Sequence, residues 1–470
     1  MRDQQLKIYI KNFFKDIRKA ILGEETNYTQ GSINRAIFML SIPMVLEMLM
    51  ESLFAVVDVF FVGRLGVDAI ATVGLTESII MILYAIGVGL SIAVTAMVSR
   101  RVGEGNKSKA ADAAYQAILV AILIAAIFGF TGFIYAKDLL RLMGASESLI
   151  ETGYGYTKIL IGGNITIMLL FVLNAVFRGA GDAAIAMRVL WLSNGLNIIL
   201  DPLFIFGFGP MEGMGVQGAA IATTIGRGIG VMYQLYILFR GSGVIHMLKK
   251  NLLFKGKVMK TLIKVSMGGM GQYLIGTASW ILLVRIISYF GSEAVAGYTI
   301  SFRIIIFTIL PSWGIANAAA TLVGQNLGSG QPDRAEKSVW KCAYFNMVFL
   351  VIIAIFFFIL AENFVSIFNT DLLVVKHGVI ALRYICLGYI FFAYGMVVSQ
   401  AFNGAGDTKT PTVINFLSYW LLQIPLAYIL SINTTLEIKG VYIAILISEL
   451  FLAIVAIMIF RRGRWKLVEI

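Results

Sequence analysis

Along this chain, polar and charged residues are confined to short intervals between long apolar runs. Runs of about 18 or more apolar residues recur from residue 36 onward, each long enough as a helix to cross roughly 30 Å of hydrocarbon. Roughly ten-residue segments of strict alternation, the mark of a membrane β-barrel, are absent. The pattern predicts an all-α polytopic membrane protein with twelve transmembrane helices. Spans 1 to 6 are expected at 36–62, 70–98, 114–136, 153–176, 185–208 and 216–239. Spans 7 to 12 are expected at 262–289, 295–323, 339–361, 378–401, 410–431 and 440–460.

A shift of 225 residues lays the last six spans on the first six without a gap. Gly66 meets Gly291, Gly103 and Gly105 meet Gly328 and Gly330, and RGAGD at 178–182 meets NGAGD at 403–407. Apolar residues match by chance in any register, whereas loop glycines do not. Six spans per copy is an even number, so both copies run the same way through the bilayer. Two six-helix lobes related by a pseudo-twofold axis along the membrane normal follow. The expected organisation is a leader at 1–32, lobes at 33–240 and 261–462 joined by a basic linker at 241–260, and a tail at 463–470.

Composition agrees: 59% of the 470 residues are hydrophobic and 14% charged, against about 25% charged in soluble domains. The net charge of +12 raises nucleic acid as a partner, but its placement points to lipid. Lys and Arg cluster at 2–19, 100–109, 240–264, 334–341 and 461–466 and are sparse in the intervening loops. By the positive-inside rule both termini are cytoplasmic and the protein is multi-pass in the inner (plasma) membrane. The expected partners are the lipid bilayer and a small-molecule substrate, with no nucleic acid, and a monomer is the expected state. The basic leader reads either as an amphipathic helix on anionic headgroups or as a solvated segment; no cleavable signal peptide is visible. Cys342 and Cys386 fall in apolar runs and read as buried small hydrophobes.

Ionisable residues at bilayer depth cost about 2.5–3.5 kcal/mol each on insertion scales, so each requires a partner or a purpose. Span 1 carries Glu47, Glu51 and Asp58, whose spacings of 4 and 7 put them on one face. Span 5 carries Asn197 and Asp201 one turn apart, followed by Pro202. Asn174 in span 4 and Thr223 and Thr224 in span 6 add further oxygens. Pro43 and Pro202 each leave a carbonyl free inside a helix. These donors are all oxygens, a set suited to Na⁺ or a proton and not to zinc or copper. Two carboxylates in one dry pocket repel each other and favour uptake of a proton or cation. The alternative is that the acids pair with buried Lys158, Arg188 or Arg227. Glu77 in span 2 is open between a structural contact and a site role. Leu283 and Leu426 stand where the repeat would place partners of Asp58 and Asp201, so ion chemistry is expected in the first lobe only. The two histidines, His246 and His377, lack mid-depth partners, which leaves an intramembrane enzyme a distant alternative; no filter loops for a channel are visible.

PMVLEMLMESLFAVVDVFFVGRLG in span 1, LNAVFRGAGD in span 4 and NIILDP in span 5 together resemble the multidrug and toxic compound extrusion (MATE) transporters. The resemblance covers about 33–462 and is closer to the DinF-like branch. It implies a cation-coupled antiporter, H⁺ or Na⁺, that exports drug-like, often cationic amphipathic compounds by alternating access and needs no cofactor. It implies a carboxylate pair, Asp58 and Asp201, with Asn197 and Thr223 as cation ligands where Na⁺ binds, and Glu51 beside them. Tyr156, Asn174, Glu47 and Gln272 are the expected substrate-cavity residues. Glu51 departs from the neutral amide usual there. The NorM-like branch is disfavoured because its second-lobe acids in spans 7 and 10 have no counterpart. A lipid-linked oligosaccharide flippase of the same superfamily is the alternative, kept open by Arg285 and Arg303.

Overall fold

The computed structural model describes residues 15–24 and 27–470; of the leader expected over 1–32, residues 1–14 and 25–26 lie outside the described residues. Nine helices among the described residues are long and apolar enough to cross a membrane. They are Val67–Gly103, Lys107–Leu142, Glu147–Ala180, Ala183–Phe206, Gly256–Phe290, Ser292–Gly328, Pro332–Ile359, Lys409–Ile432 and Ile438–Arg461, which are spans 2 to 5, 7 to 9, 11 and 12. Span 10 is a pair, Leu372–Leu387 and Tyr389–Ala405, bent by 55° between them. Span 1 is the 31-residue helix Ile33–Gly63. Span 6 is Val216–Arg240, whose glycines, threonines and Arg227 make it less apolar than the others. Twelve spans in two lobes therefore form, as the pattern predicts. Most run past the expected bounds, because a helix continues into the interface after its apolar stretch ends.

The duplication is visible in backbone conformation. Gly66 and Gly291 have φ of +106° and +97°, and Gly181 and Gly406 have +94° and +91°. The last pair end spans 4 and 10 in left-handed caps that only glycine adopts without strain. The aspartates after them have diverged. Asp182 accepts from the Val244 backbone N–H at 2.6 Å, tying the inter-lobe connector to the first lobe, while Asp407 caps span 11 by accepting from Thr410 N at 3.1 Å. The repeat also breaks in span 11, where Phe416–Gln423 is π-helical although its counterpart in span 5 is regular α-helix.

Each lobe has its own apolar core, and a third cluster spans the seam between lobes near the end where residues 28–34 and 464–470 lie. At this terminal end the lobes meet backbone to backbone. A Cβ on Gly103 would stand 2.1 Å from the Gln325 carbonyl oxygen, and one on Gly328 would stand 2.1 Å from that of Arg100. Deeper along the same seam, Gly314 faces the Met44 backbone and Gly89 faces Ser266 and Met270. Small residues at helix crossings permit this approach in a membrane, where lipid gives little hydrophobic drive for helices to pair. Hydrogen bonds add to it: Gln325 donates to the Gly179 carbonyl, Thr321 to that of Arg178, and Arg100 to that of Val468. Among the described residues the side-chain hydrogen bonds joining the lobes gather at this end and none is made between them at the far end, the side on which a cleft can open.

The seam predicts one outcome. Gly103→Leu cannot be absorbed by side-chain movement, because the opposing atoms are backbone. Spin labels on Lys109→Cys and Lys337→Cys, exposed on either side of the terminal end, are expected to lie farther apart in Gly103→Leu than in the parent. An unchanged distance distribution would refute the seam as the closing contact.

Candidate cation site and central cavity

Between the lobes lies a cavity of about 350 Å³, within the range of small-molecule sites. Its first-lobe wall includes Glu47, Glu51, Tyr84, Phe171, Asn174, Arg178, Asn194 and Arg227, and its second-lobe wall includes Tyr273, Trp313, Asn317, Gln400 and Asn403. Spacing explains the recruitment. Asn317 is four residues after Trp313, and Glu51 four after Glu47, so each pair shares a helix face.

The acids of span 1 are satisfied to different degrees. Glu47, 1% exposed, receives the Arg178 guanidinium at 2.8 Å. Its partner is thus not one of the cations weighed from sequence but the arginine of RGAGD, a motif read there only as a turn. Lys158 instead lies 4.2 Å over the Phe133 ring, and Arg188 turns back on the Ala184 carbonyl. Glu51 accepts from Asn194 Nδ2 at 3.2 Å, and Arg227 lies within electrostatic reach of both Glu51 and Asp58. Asn194 was legible, since it precedes Asn197 by three residues and shares its helix face. Trp191 Nε1 donates to the Leu46 carbonyl at 3.0 Å and fixes span 5 against span 1.

Beyond Asn194 on span 5 lies the cluster expected to hold a cation. Asp201 is fully buried and Asn197 and Thr223 nearly so. Asn197 Nδ2 donates both to Asp201 Oδ1 at 3.3 Å and to Thr223 Oγ1 at 3.0 Å. That amide orientation leaves Asn197 Oδ1 and Asp201 Oδ2 buried without a hydrogen-bond partner. Asp58 acts on Asp201 electrostatically from span 1. Unpaired buried acceptors are costly in protein interiors. A sodium ion would find oxygen ligands here in Asp201, Asn197 and Thr223, with Asp58 a second carboxylate within electrostatic reach, and a proton would find a carboxylate oxygen. Thr224 turns away, donating to the Ala220 carbonyl.

Two residues expected in the cavity sit elsewhere. Tyr156 packs in the first-lobe core, where Asp58 acts on it, and does not form the cavity wall. Gln272 is drawn aside by a reciprocal pair with Asn403 and by the Thr408 carbonyl. Asn174 does line the cavity, held by Gln234 Nε2 at 2.6 Å. The second lobe holds one buried acid, Glu449, which accepts from Tyr419 at 3.1 Å and stands apart from the cavity.

The buried ion pair generates a stability prediction. Removing one partner of such a pair costs about 3–5 kcal/mol, discounted here because Arg178 borders the cavity and is partly exposed. Glu47→Gln and Arg178→Gln are each expected to lower the unfolding midpoint in lipid nanodiscs clearly, and the double variant by less than their sum. Additive losses would show that the two side chains do not act as a pair.

Comparison with known proteins supplies the family. The MatE family model matches residues 43–203 and 270–429. A probable multidrug resistance protein NorM of Thermotoga maritima is 26% identical over 440 residues, covering 92% of this chain and 93% of its own length. A FAD transporter of Shewanella oneidensis is 25% identical, covering 90% and 93%. Among solved structures, an outward-facing multidrug resistance MATE family transporter superimposes with a TM-score of 0.88 at 26% identity, over 95% of this chain and all of that one. A MATE transporter in complex with MaL6 superimposes equally well, with a TM-score of 0.88 over 94% of this chain and 99% of that one. The family consists of multi-pass secondary transporters rather than enzymes. With both halves of the repeat matched, the chain belongs to the MatE family of multidrug efflux transporters.

Proposed function

We propose that this transporter exports drug-like cationic compounds in exchange for H⁺ or Na⁺ bound between Asp58 and Asp201. The carrying observation is the pair of buried, partnerless oxygens on Asn197 and Asp201, beside a second carboxylate and in one lobe only. The terminal end is taken as cytoplasmic, because the basic clusters lie there. The far cleft then opens outward, and the assignment follows the DinF-like expectation that coupling belongs to the first lobe.

Coupling follows from shared helices. Span 1 carries Glu51 in the cavity and Asp58 at the cation site; span 5 carries Asn194 in the cavity and Asn197 and Asp201 at the site. A cation entering from outside neutralises the carboxylates, lets spans 1 and 5 pack more closely and so alters the cavity wall. A planar aromatic cation fits that wall, with Tyr84, Phe171 and Trp313 as stacking surfaces and Glu51 as the countercharge. Competition between substrate and coupling ion for the same lobe gives exchange without a catalytic group. The cavity's two arginines each have a carboxylate nearby, Glu47 for Arg178 and Glu51 for Arg227. That balance disfavours a pyrophosphate-linked lipid as substrate.

In proteoliposomes, efflux of an ethidium-like dye is expected under an imposed Na⁺ or pH gradient, and whichever gradient suffices identifies the ion. Asp58→Asn and Asp201→Asn are each expected to reduce gradient-driven efflux by at least about tenfold, as loss of a coupling free energy of 1–3 kcal/mol allows. Full efflux by both variants would overturn the site. Movement of FAD without movement of dye would keep the transporter and replace the substrate class.

A further inference from the structure

The far cleft holds charges that neither the cavity nor the cation site uses. Glu77 lies seven residues before Tyr84 on span 2, and Arg303 seven residues before Leu310 on span 8; Tyr84 and Leu310 both line the cavity. Seven residues is close to two full turns, so both side chains continue the cavity-facing surfaces of their helices toward the far end. Both are exposed. The repeat gives them matching depth, since Glu77 shifted by 225 falls at 302, beside Arg303. They belong to opposite lobes, and no ion pair joins them here, although Arg303 lies within electrostatic reach of Glu77. Asp58, two turns beyond Glu51 on span 1, completes the acidic side, and Arg227 is the other cation facing Glu77.

We infer that Glu77 and Arg303 form the outer latch of the transport cycle: they are apart while the cleft is open and pair across it when the far end closes. The inference rests on the alternating-access reading above. A charge facing its opposite across a wet cleft gains little while water separates them. Closure expels that water and strengthens the attraction, so the pair favours the closed outer state specifically. A residue with equal interactions in both states would bias neither.

The test uses Cys342→Ala/Cys386→Ala protein in nanodiscs that retains Glu77 and Arg303, with spin labels at the exposed neighbours Ser78→Cys and Ile306→Cys and, separately, at Lys109→Cys and Lys337→Cys. Across conditions with and without Na⁺, acid pH and dye, a population opening at the terminal pair is expected to coincide with shortening at the 78–306 pair. Opening at the terminal pair with an unchanged 78–306 distance overturns the latch while leaving alternating access intact. No opening at the terminal pair under any condition overturns both. In the dye assay, Glu77→Arg and Arg303→Glu are each expected to slow efflux about tenfold, with the double reversal recovering most of it. Two slow single variants with no recovery in the double would show that the residues act separately and would overturn the latch. Wild-type protein that moves neither dye nor FAD sinks the exporter reading, and an unchanged far-end distance on opening of the terminal pair then overturns the latch by itself.

Discussion

The arrangement depends on one contact: backbone against backbone where Gly103 and Gly328 bring spans 2 and 8 together. A membrane gives two helical lobes little reason to adhere by hydrophobicity, since lipid tails solvate leucine as well as another helix does. Close packing and hydrogen bonds to exposed carbonyls remain, and the glycines supply both by removing the side chains that would hold the lobes apart. Because the seam occupies the terminal end, the lobes part elsewhere. The cavity, the position of span 1 and the cleft above it all follow from where the lobes can touch.

A cleft between lobes permits polar chemistry that a lipid-facing surface would forbid, and the acids are graded along it. Glu47, nearest the seam, is matched by Arg178 and belongs to the frame. Glu51 has an amide partner and a nearby arginine, so it can exchange one countercharge for another. Asp201 has half of its hydrogen-bonding capacity engaged and half empty in a buried pocket. The gradient from satisfied to unsatisfied runs outward along spans 1 and 5. Unsatisfied groups are where a cation gains most, because binding there removes a desolvation cost the empty site already bears.

Much of this was legible from periodicity and from the repeat. Twelve apolar runs and a constant offset of 225 specify two six-helix lobes, because a span either fits the bilayer or does not. The break in the repeat at Leu283 and Leu426 points to a first-lobe site, and the structure groups Asn197, Asp201 and Thr223 as hydrogen-bonded neighbours. What remained hidden depends on distances between helices far apart in sequence. Arg178 looked like part of a turn because its partner is 131 residues away. Gln272 has the polarity of a cavity residue, yet Asn403 and Thr408 lie closer and take it. Tyr156 is taken up by the first-lobe core. The π-helical stretch of span 11 has no local signature beyond nearby Pro425.

The asymmetry between lobes bears on why a duplicated protein keeps ionisable chemistry in one copy. A ligand shifts a conformational equilibrium only by its difference in affinity between the two states. Carrying a population from 1:99 to 99:1 takes about 5.5 kcal/mol of such difference. With equal sites in both lobes, each cation would alter its own lobe, and the seam between them would feel two changes in place of one. Under the proposed exchange, concentrating the carboxylates in one lobe makes that lobe the part whose packing responds to the ion and the other the surface against which it moves. The second lobe's buried Glu449 fits this division, since it is engaged by Tyr419 within its own lobe and stands away from the cavity. In the proposed cycle spans 1 and 5 convert a change in charge into a change in packing, and the observed link between them is Trp191, which ties span 5 to the backbone of span 1 at Leu46, just beside the acid that is paired with Arg178. In the proposed cycle the Glu47–Arg178 pair is then a fulcrum inside the first lobe: it holds the inner part of span 1 to span 4, while the outer part of span 1 carries Glu51 and Asp58, the groups proposed to respond to substrate and cation.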